Sequence, residues 1–193
     1  MVKLDRIYTR GGDAGETSLG DGERVSKDSA RIWAYGSVDE VGAALGVART
    51  TGLQPWADDL VRRVQNDLFD VGADLSVPMD TKRGHGKSRL RITPEHVAAL
   101  EQACDEQSEP LAPLTSFVLS GGTPAAAQLH AARTVCRRAE RLTVRLAAEE
   151  PVNPHAIAYL NRLSDLLFIV ARRHNDDGRA DVLWEPGASI APD

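Results

Sequence analysis

From Lys27 to Thr50 the chain places apolar side chains at Ile32, Tyr35, Val38, Val41, Ala44, Leu45 and Ala48, the three-and-four spacing of one helix face. Asp28 or Ser29 is the predicted cap. Gly36, Gly42 and Gly46 each lower helix propensity by roughly 1 kcal/mol relative to alanine, and they leave room for a close helix neighbour. The pattern breaks at Gly52–Pro55. A second helix follows over Trp56–Leu75, with Leu60, Val64, Leu68, Val71 and Leu75 in register. The third begins with Thr93 as cap, Pro94 at the first helical position and Glu95 in the first turn. After an extended stretch from Pro110 to a glycine pair at Gly121–Gly122, a fourth helix runs from Thr123 to Glu150. Its apolar stripe is Leu129, Ala132, Cys136, Ala139, Leu142 and Leu146. Asn153 caps the fifth helix, with Pro154 at its first position, and the pattern continues to Asn175. Five helices and no convincing sheet predict an all-α five-helix bundle. The 193 residues fit one domain: a leader over residues 1–26, a helical body over 27–175 and a polar tail over 176–193.

Composition narrows the classes. Hydrophobic residues make up 42% of the chain, ordinary for a globular protein and too many for disorder. With 23 basic and 28 acidic residues, the formal charge is −5, which argues against a general nucleic-acid binder. The longest apolar run, Leu166–Ala171, falls far short of the ~20 residues that span a bilayer. Met1–Arg10 lacks the apolar stretch of a signal peptide. Cys104 and Cys136 belong to no C-x-x-C motif, so a disulfide framework is not expected and a reducing cytoplasm is.

The leader poses the chemical question. Tyr8–Asp28 holds five glycines, four hydroxyl side chains outside Tyr8, and Lys27 at its end, with no apolar run. Glycine N–H groups, the hydroxyls of Thr9, Thr17 and Ser18, and a lysine have the composition of a phosphate loop. The spacing is neither a Walker A motif nor a dinucleotide-binding fingerprint. On the fourth helix, His130, Arg133, Arg137, Glu140 and Arg141 fall on one face beside the apolar stripe. Such a face is either solvated or built for an anion, and arginine suits phosphate because its planar fork makes two parallel hydrogen bonds. Ser120–Pro124 sets glycines and hydroxyls at that helix's N-terminus, where backbone N–H groups attract anions. Asn161, Asp165, Phe168 and Arg172 recur on the fifth helix, either as polar inter-helix contacts or as part of a site. Asp39 and Glu40 form an acidic pair on the first. No Ser–His–Asp or Cys–His set is present, and the inward Glu-x-x-His pairs of a metal-binding bundle are missing.

Taken in order, "YTRGGDAGETSL", Lys27 with Asp28, "GSVDEVGAALG", "FVLSGG", "ARTVCRRAERL" and "YLNRLSDLLFIVAR" resemble the trimeric helical-bundle ATP:cob(I)alamin adenosyltransferases, over roughly Ile7 to Glu185. None of these segments is specific alone; their order along one chain is. The resemblance implies transfer of the 5′-deoxyadenosyl group of ATP to cob(I)alamin, with Mg²⁺ and release of triphosphate, in a homotrimer whose sites lie between subunits. It makes the leader the nucleotide-binding loop: Thr9, Arg10, Gly11, Gly12, Thr17 and Ser18 wrap triphosphate and ribose, and Lys27 neutralises phosphate charge. Arg137, Arg138, Glu140, Arg141 and Asn161 complete that site. Asp39 pairs with Arg133 across the interface. Phe117 presses beneath the corrin ring where the lower nitrogen ligand of cobalt otherwise sits, and Asp165 lies near the corrin. One departure stands out: Gly11 occupies the place of the second threonine in the family's threonine-x-threonine-glycine-aspartate loop, so a hydroxyl is lost while the backbone N–H remains. Lys82–Arg91 and the residues after Pro186 match no motif of the family. The chemistry suits the inventory, because cobalt(I) is itself the nucleophile and no side-chain base is required. The rival expectation is a regulatory or carrier module that binds ATP and transfers nothing.

Overall fold

A computed structural model describes residues 7–8, 10–81 and 89–189; Thr9 and most of the basic Lys82–Arg91 segment lie outside the described residues. Five helices dominate the described residues: α1 Ala30–Arg49, α2 Pro55–Leu75, α3 Pro94–Ser108, α4 Pro124–Glu149 and α5 Pro154–Arg173. Their spatial order differs from their sequence order. α4 lies between α1 and α5, α2 packs on the far side of α1, and α3 on the far side of α5. The helix in the middle must be apolar and narrow on two sides. α4 meets this with Ala125, Ala126, Leu129, Ala132, Cys136 and Ala139, all buried. They meet Val38, Val41, Leu45 and Ala48 of α1 and Leu160, Leu163, Leu167 and Val170 of α5 in one continuous core.

Proline opens four of the five helices, and side chains close the open backbone groups before two of them. Thr123 Oγ1 accepts from Ala126 N at 3.2 Å, and Asn153 Oδ1 accepts from His155 N at 3.0 Å. Before α3, Thr93 N donates to His96 Nδ1 at 3.2 Å. Ser29 stands before α1 as expected, but its side chain makes no capping hydrogen bond.

The leader departs from a plain loop. It contains a two-stranded antiparallel hairpin, β1 Glu16–Ser18 against β2 Arg24–Ser26, with Thr17 opposite Val25. Three-residue strands are too short to leave a period-two signal, which is why the hydrophobic pattern shows no strand there. The connecting turn is closed by Asp21, whose Oδ1 accepts from Glu23 N at 3.0 Å. It is tied to the body where Gly20 N donates to Ser76 O at 2.9 Å. A β-carbon at Gly20 would lie 2.6 Å from Val77 Cγ2, so the approach requires glycine. Leu19 beside it is buried. The chain beyond α5 also returns to the body, where Leu183 bridges Val118 in antiparallel fashion.

A buried carboxylate joins α2, the start of α3 and α5. Asp74 is 1% exposed. Its Oδ1 pairs with Arg91 Nη1 at 2.6 Å, and its Oδ2 accepts from Ile92 N at 2.8 Å and Asn153 Nδ2 at 2.6 Å. Removing one partner of a buried charged network costs about 3–5 kcal/mol. Asp74→Ala is therefore expected to lower the melting temperature by on the order of 10 °C, at about 2–4 °C per kcal/mol for a chain of this size. Calorimetry on the variant checks this, and melting within about 2 °C of wild type would show that the network carries little stability.

Candidate functional site

The hairpin geometry gathers the leader's polar groups. Arg24 Nη2 donates to Gly11 O at 2.7 Å and Nη1 to Ser18 Oγ at 3.5 Å, pinning the glycine segment to β1. Lys27 N donates to Gly15 O at 2.8 Å. The lysine side chain then passes over Gly12, where an added β-carbon would sit 2.9 Å from Nζ. An ammonium thus lies against the Gly12 backbone, with the exposed Ser18 and half-buried Thr17 on the adjoining strand. Arg10, in left-handed backbone at φ 60°, places its guanidinium 6.0 Å from the Tyr8 ring. Thr9 lies outside the described residues.

A second polar depression opens on α4 and α5. Arg137, Glu140, Arg141, Val144 and Asn161 line it, and Asn161 Nδ2 donates to Glu140 Oε1 at 2.9 Å. Arg138 points to the other side of α4, where it pairs with Glu40 of α1. Asp165 is exposed and bonded to Arg162 at 3.1 Å. Asp39 and Arg133 do not meet within the chain. Asp39 lines a groove of about 680 Å³ between α1 and α2, together with Gly36, Gly42, Phe69 and Gly72; Phe69 is 77% exposed. The Arg133 guanidinium lies 5.8 Å from the Phe168 ring, with Nε buried and without a hydrogen-bond partner. Burial and the like charge of Arg137 both disfavour its charged form.

Phe117 presents its ring outward at 76% exposure, with Trp184 edge-on at 5.9 Å and 62°. Periodicity could not have paired these two, since Trp184 lies in the polar tail; an isolated tryptophan there was the only signal. Phe117, Leu119, Val182, Leu183 and Trp184 form an exposed apolar strip.

His130 corrects the expectation of a flanking polar face. It is fully buried, its ring 5.8 Å from Phe168, and both ring nitrogens lack a partner. The 3.6-residue repeat places His130 beside the apolar stripe but says nothing of what covers it. Phe168 of α5 does so here. Burial, and then the Arg133 charge, lower the His130 pKa, while Asp181 opposes them.

The architecture is that of a helical-bundle protein with a glycine-rich hairpin leader, a basic depression on its central helix and a separate aromatic strip. The chain belongs to the cobalamin adenosyltransferase family, whose model matches residues 7–174. It is 49% identical over 190 residues to a corrinoid adenosyltransferase of Mycobacterium leprae, covering 96% of this chain and 98% of that protein. It is 46% identical over 188 residues to a cobalamin adenosyltransferase of Cupriavidus metallidurans, covering 95% and 96%. Among solved structures, a phenylalanine-to-alanine variant of the PduO-type ATP:corrinoid adenosyltransferase from Lactobacillus reuteri, complexed with cobalamin and ATP, superposes with a TM-score of 0.84. The identity is 33%, over 93% of this chain and 99% of that one.

The buried imidazole has a pH signature. A histidine whose folded pKa lies below the ordinary ~6.5 contributes stability above that value and loses it as pH falls, because the unfolded chain takes up a proton that the folded chain refuses. Wild type is expected to lose more melting temperature between pH 7 and pH 5 than His130→Phe does. Parallel melts of the two proteins check this, and equal slopes would show that His130 protonates freely in the folded state.

Proposed function

We propose that this chain transfers the 5′-deoxyadenosyl group of ATP to cob(I)alamin, releasing triphosphate, at a site shared between subunits of a homotrimer. The observation that carries the reading is Lys27 Nζ lying against the Gly12 backbone, in a chain that matches the family from residue 7 to residue 174.

In this reading the leader holds the triphosphate. Backbone N–H groups around Gly11 and Gly12 bind phosphate oxygens, Lys27 neutralises their charge, and the Thr9, Thr17 and Ser18 hydroxyls complete the cradle with Arg10. Gly11 contributes backbone only. The Arg24 bond to Gly11 O holds that backbone without a threonine side chain. Mg²⁺ arrives with the triphosphate as part of the substrate, and the hydroxyls of β1 are oxygen donors of the kind a hard cation takes. Arg137 and Arg141 present forks to the nucleotide, Asn161 and Glu140 orient each other beside them, and Arg138 is steadied by Glu40. Cobalt(I) attacks the ribose 5′ carbon: a cobalt–carbon bond forms, the carbon–oxygen bond to triphosphate breaks, and the triphosphate leaves with the electron pair. Alignment and stabilisation of that anion are the protein's contributions. Phe117, exposed on the apolar strip, is the wedge that keeps the lower nitrogen ligand off cobalt and so eases the reduction of cobalt(II). Asp165 stands at the polar edge of the corrin.

Three features support a shared site. Arg133 has a buried Nε without a partner, Asp39 stands exposed in the α1–α2 groove, and β-carbons at Gly36, Gly42 and Gly72 would meet nothing within 4 Å. A second copy packed there brings Asp39 to Arg133. Among the described residues no helix is long and apolar enough to cross a membrane. Both cysteines are unpaired and buried, which suits the reducing cytoplasm that we assign to the protein.

The test is the absorbance change on mixing reduced cobalamin, Mg²⁺ and ATP with the protein; ATP binding without that change would favour a carrier module. Arg137→Lys keeps the charge and loses the fork. Turnover is expected to fall by about one to three orders of magnitude with helix content unchanged, as circular dichroism would register. Light scattering should give a trimer, and Asp39→Asn should lose most activity. A fully active monomer is the outcome that removes the shared site.

A further inference from the structure

The main chain of Phe117 is held by the tail. Trp184 N donates to Phe117 O at 2.8 Å, and Leu119 N donates to Val182 O at 2.8 Å. Ser116 Oγ donates to Trp184 O at 2.8 Å. Val182–Trp184 is therefore a short second strand laid beside Phe117, and Trp184 adds its ring edge. Two strands of this length do not hold each other in water, so something must fix the tail strand to the body.

Asp181, immediately before the strand, does so. Its side chain is 1% exposed. Oδ2 accepts from Arg172 Nε at 2.7 Å and Oδ1 from Asn175 Nδ2 at 3.1 Å. Both donors stand at the C-terminal end of α5 and reach the other side of Phe117 as well. Arg172 Nη2 donates to Ala112 O at 3.1 Å. Asn175 Oδ1 accepts from Thr123 N at 3.0 Å, and Nδ2 donates to Gly121 O at 3.3 Å. Gly122, at φ 96°, leaves the space that the Asn175 amide fills; a β-carbon there would overlap it. Between Asn175 and Asp181 the chain reverses through left-handed backbone at Asp176, Asp177 and Gly178. Such backbone at two aspartates persists only where the surrounding bonds over-determine it. The turn is closed by Gly178 N to Arg172 O and Ala180 N to Asn175 O, each 2.9 Å. One carboxylate thus joins the end of α5, the entry to α4 and the strand that carries the Phe117 hydrogen bonds.

We propose that Asp181 is a positioning residue for the Phe117 ring: held by Arg172 and Asn175, it fixes Val182–Trp184 as the strand that aims Phe117 at the corrin and seats Trp184 as a second aromatic wall. The inference rests on the reading of Phe117 as the wedge beneath cobalt. Asp181 touches no substrate in this arrangement. Its loss acts through the ring's placement, and a misplacement of about 1 Å costs up to about a hundred-fold in rate.

The test compares full-length wild type, Asp181→Ala, Asp181→Asn and Phe117→Ala in two assays with ATP and Mg²⁺. One begins from cobalt(II)alamin with a reductant, the other from chemically prepared cobalt(I)alamin, which already lacks a lower ligand. In Asp181→Ala the rate from cobalt(II) is expected to fall about ten-fold or more relative to the rate from cobalt(I). The ATP dissociation constant should stay near wild type, and the electron paramagnetic resonance signal of ligand-free cobalt(II) should weaken in parallel. Asp181→Asn preserves the shape and can still accept one of the two hydrogen bonds. It is expected to lie between wild type and alanine, and it carries the test if the alanine variant fails to fold. An unchanged ratio and unchanged cobalt(II) spectrum in the folded Asp181 variants, while Phe117→Ala alters both, would overturn the positioning role and leave the wedge standing. An unchanged ratio in Phe117→Ala itself would remove the wedge, and the inference with it.

Discussion

Four arginines within nine residues of one helix, Arg133, Arg137, Arg138 and Arg141, repel one another, and much of the structure answers that repulsion. α4 is central, so its charges cannot all point to bulk water. Arg138 is neutralised by Glu40 of α1. Arg133 lies over the face of Phe168, where a ring quadrupole attracts a cation, and the adjoining His130 is held neutral by burial. Arg137 and Arg141 stand exposed at the surface, in a depression whose one carboxylate, Glu140, is engaged by Asn161. The excess positive charge is thereby concentrated in one place, and the triphosphate we propose there would complement it.

That charge distribution requires the rest of α4 to be small. Ala125, Ala126, Ala132 and Ala139 let α1 and α5 approach closely enough for Glu40 and Phe168 to reach their arginines. The same closeness buries Asn153 and Asp74 at the far end of α5, where a chain of hydrogen bonds replaces water for a carboxylate that would be costly alone. The two ends of α5 thus use one device. At its N-terminal end Asp74 ties α2 and Ile92 to the Asn153 cap; at its C-terminal end Asp181 ties the tail to the entry of α4. Between them the helix buries Leu160, Leu163, Leu166, Leu167 and Val170 in the core and carries Asn161 and Asp165 on its exposed side.

The leader solves a different problem. It is rich in glycine and buries little, yet the anion site we propose there needs a defined backbone. The hairpin, the Gly20–Ser76 hydrogen bond and the Arg24 bond to Gly11 supply that definition at low cost in apolar area. Lys27 follows directly from β2, so its side chain returns over Gly12 without a long connection. A phosphate loop of the kind we propose, set on a helical bundle, needs no parallel sheet beneath it, in keeping with the lack of either familiar nucleotide fingerprint in the chain.

The features legible in the chain alone are those that local chemistry controls. Pro94, Pro124 and Pro154 behind Thr93, Thr123 and Asn153 mark helix starts, because the missing N–H of proline and the capping oxygen act within one turn. The apolar repeats of α1, α2, α4 and α5 define their buried faces, because burial follows the helical period. The glycines, hydroxyls and Lys27 of the leader, and the arginines of α4, were legible as candidate phosphate chemistry for the same reason. Which neighbour covers each face was set by the packing of the helices. The fold buried His130 under Phe168, turned Arg138 toward Glu40 and Glu140 toward Asn161, and folded the tail back so that Trp184 meets Phe117 across sixty-seven residues of chain. It also made a hairpin from strands of three residues, too short to show a period. A repeat states which side chains share a side of an element. The partner on that side is a long-range contact, and its identity depends on how five helices divide one core.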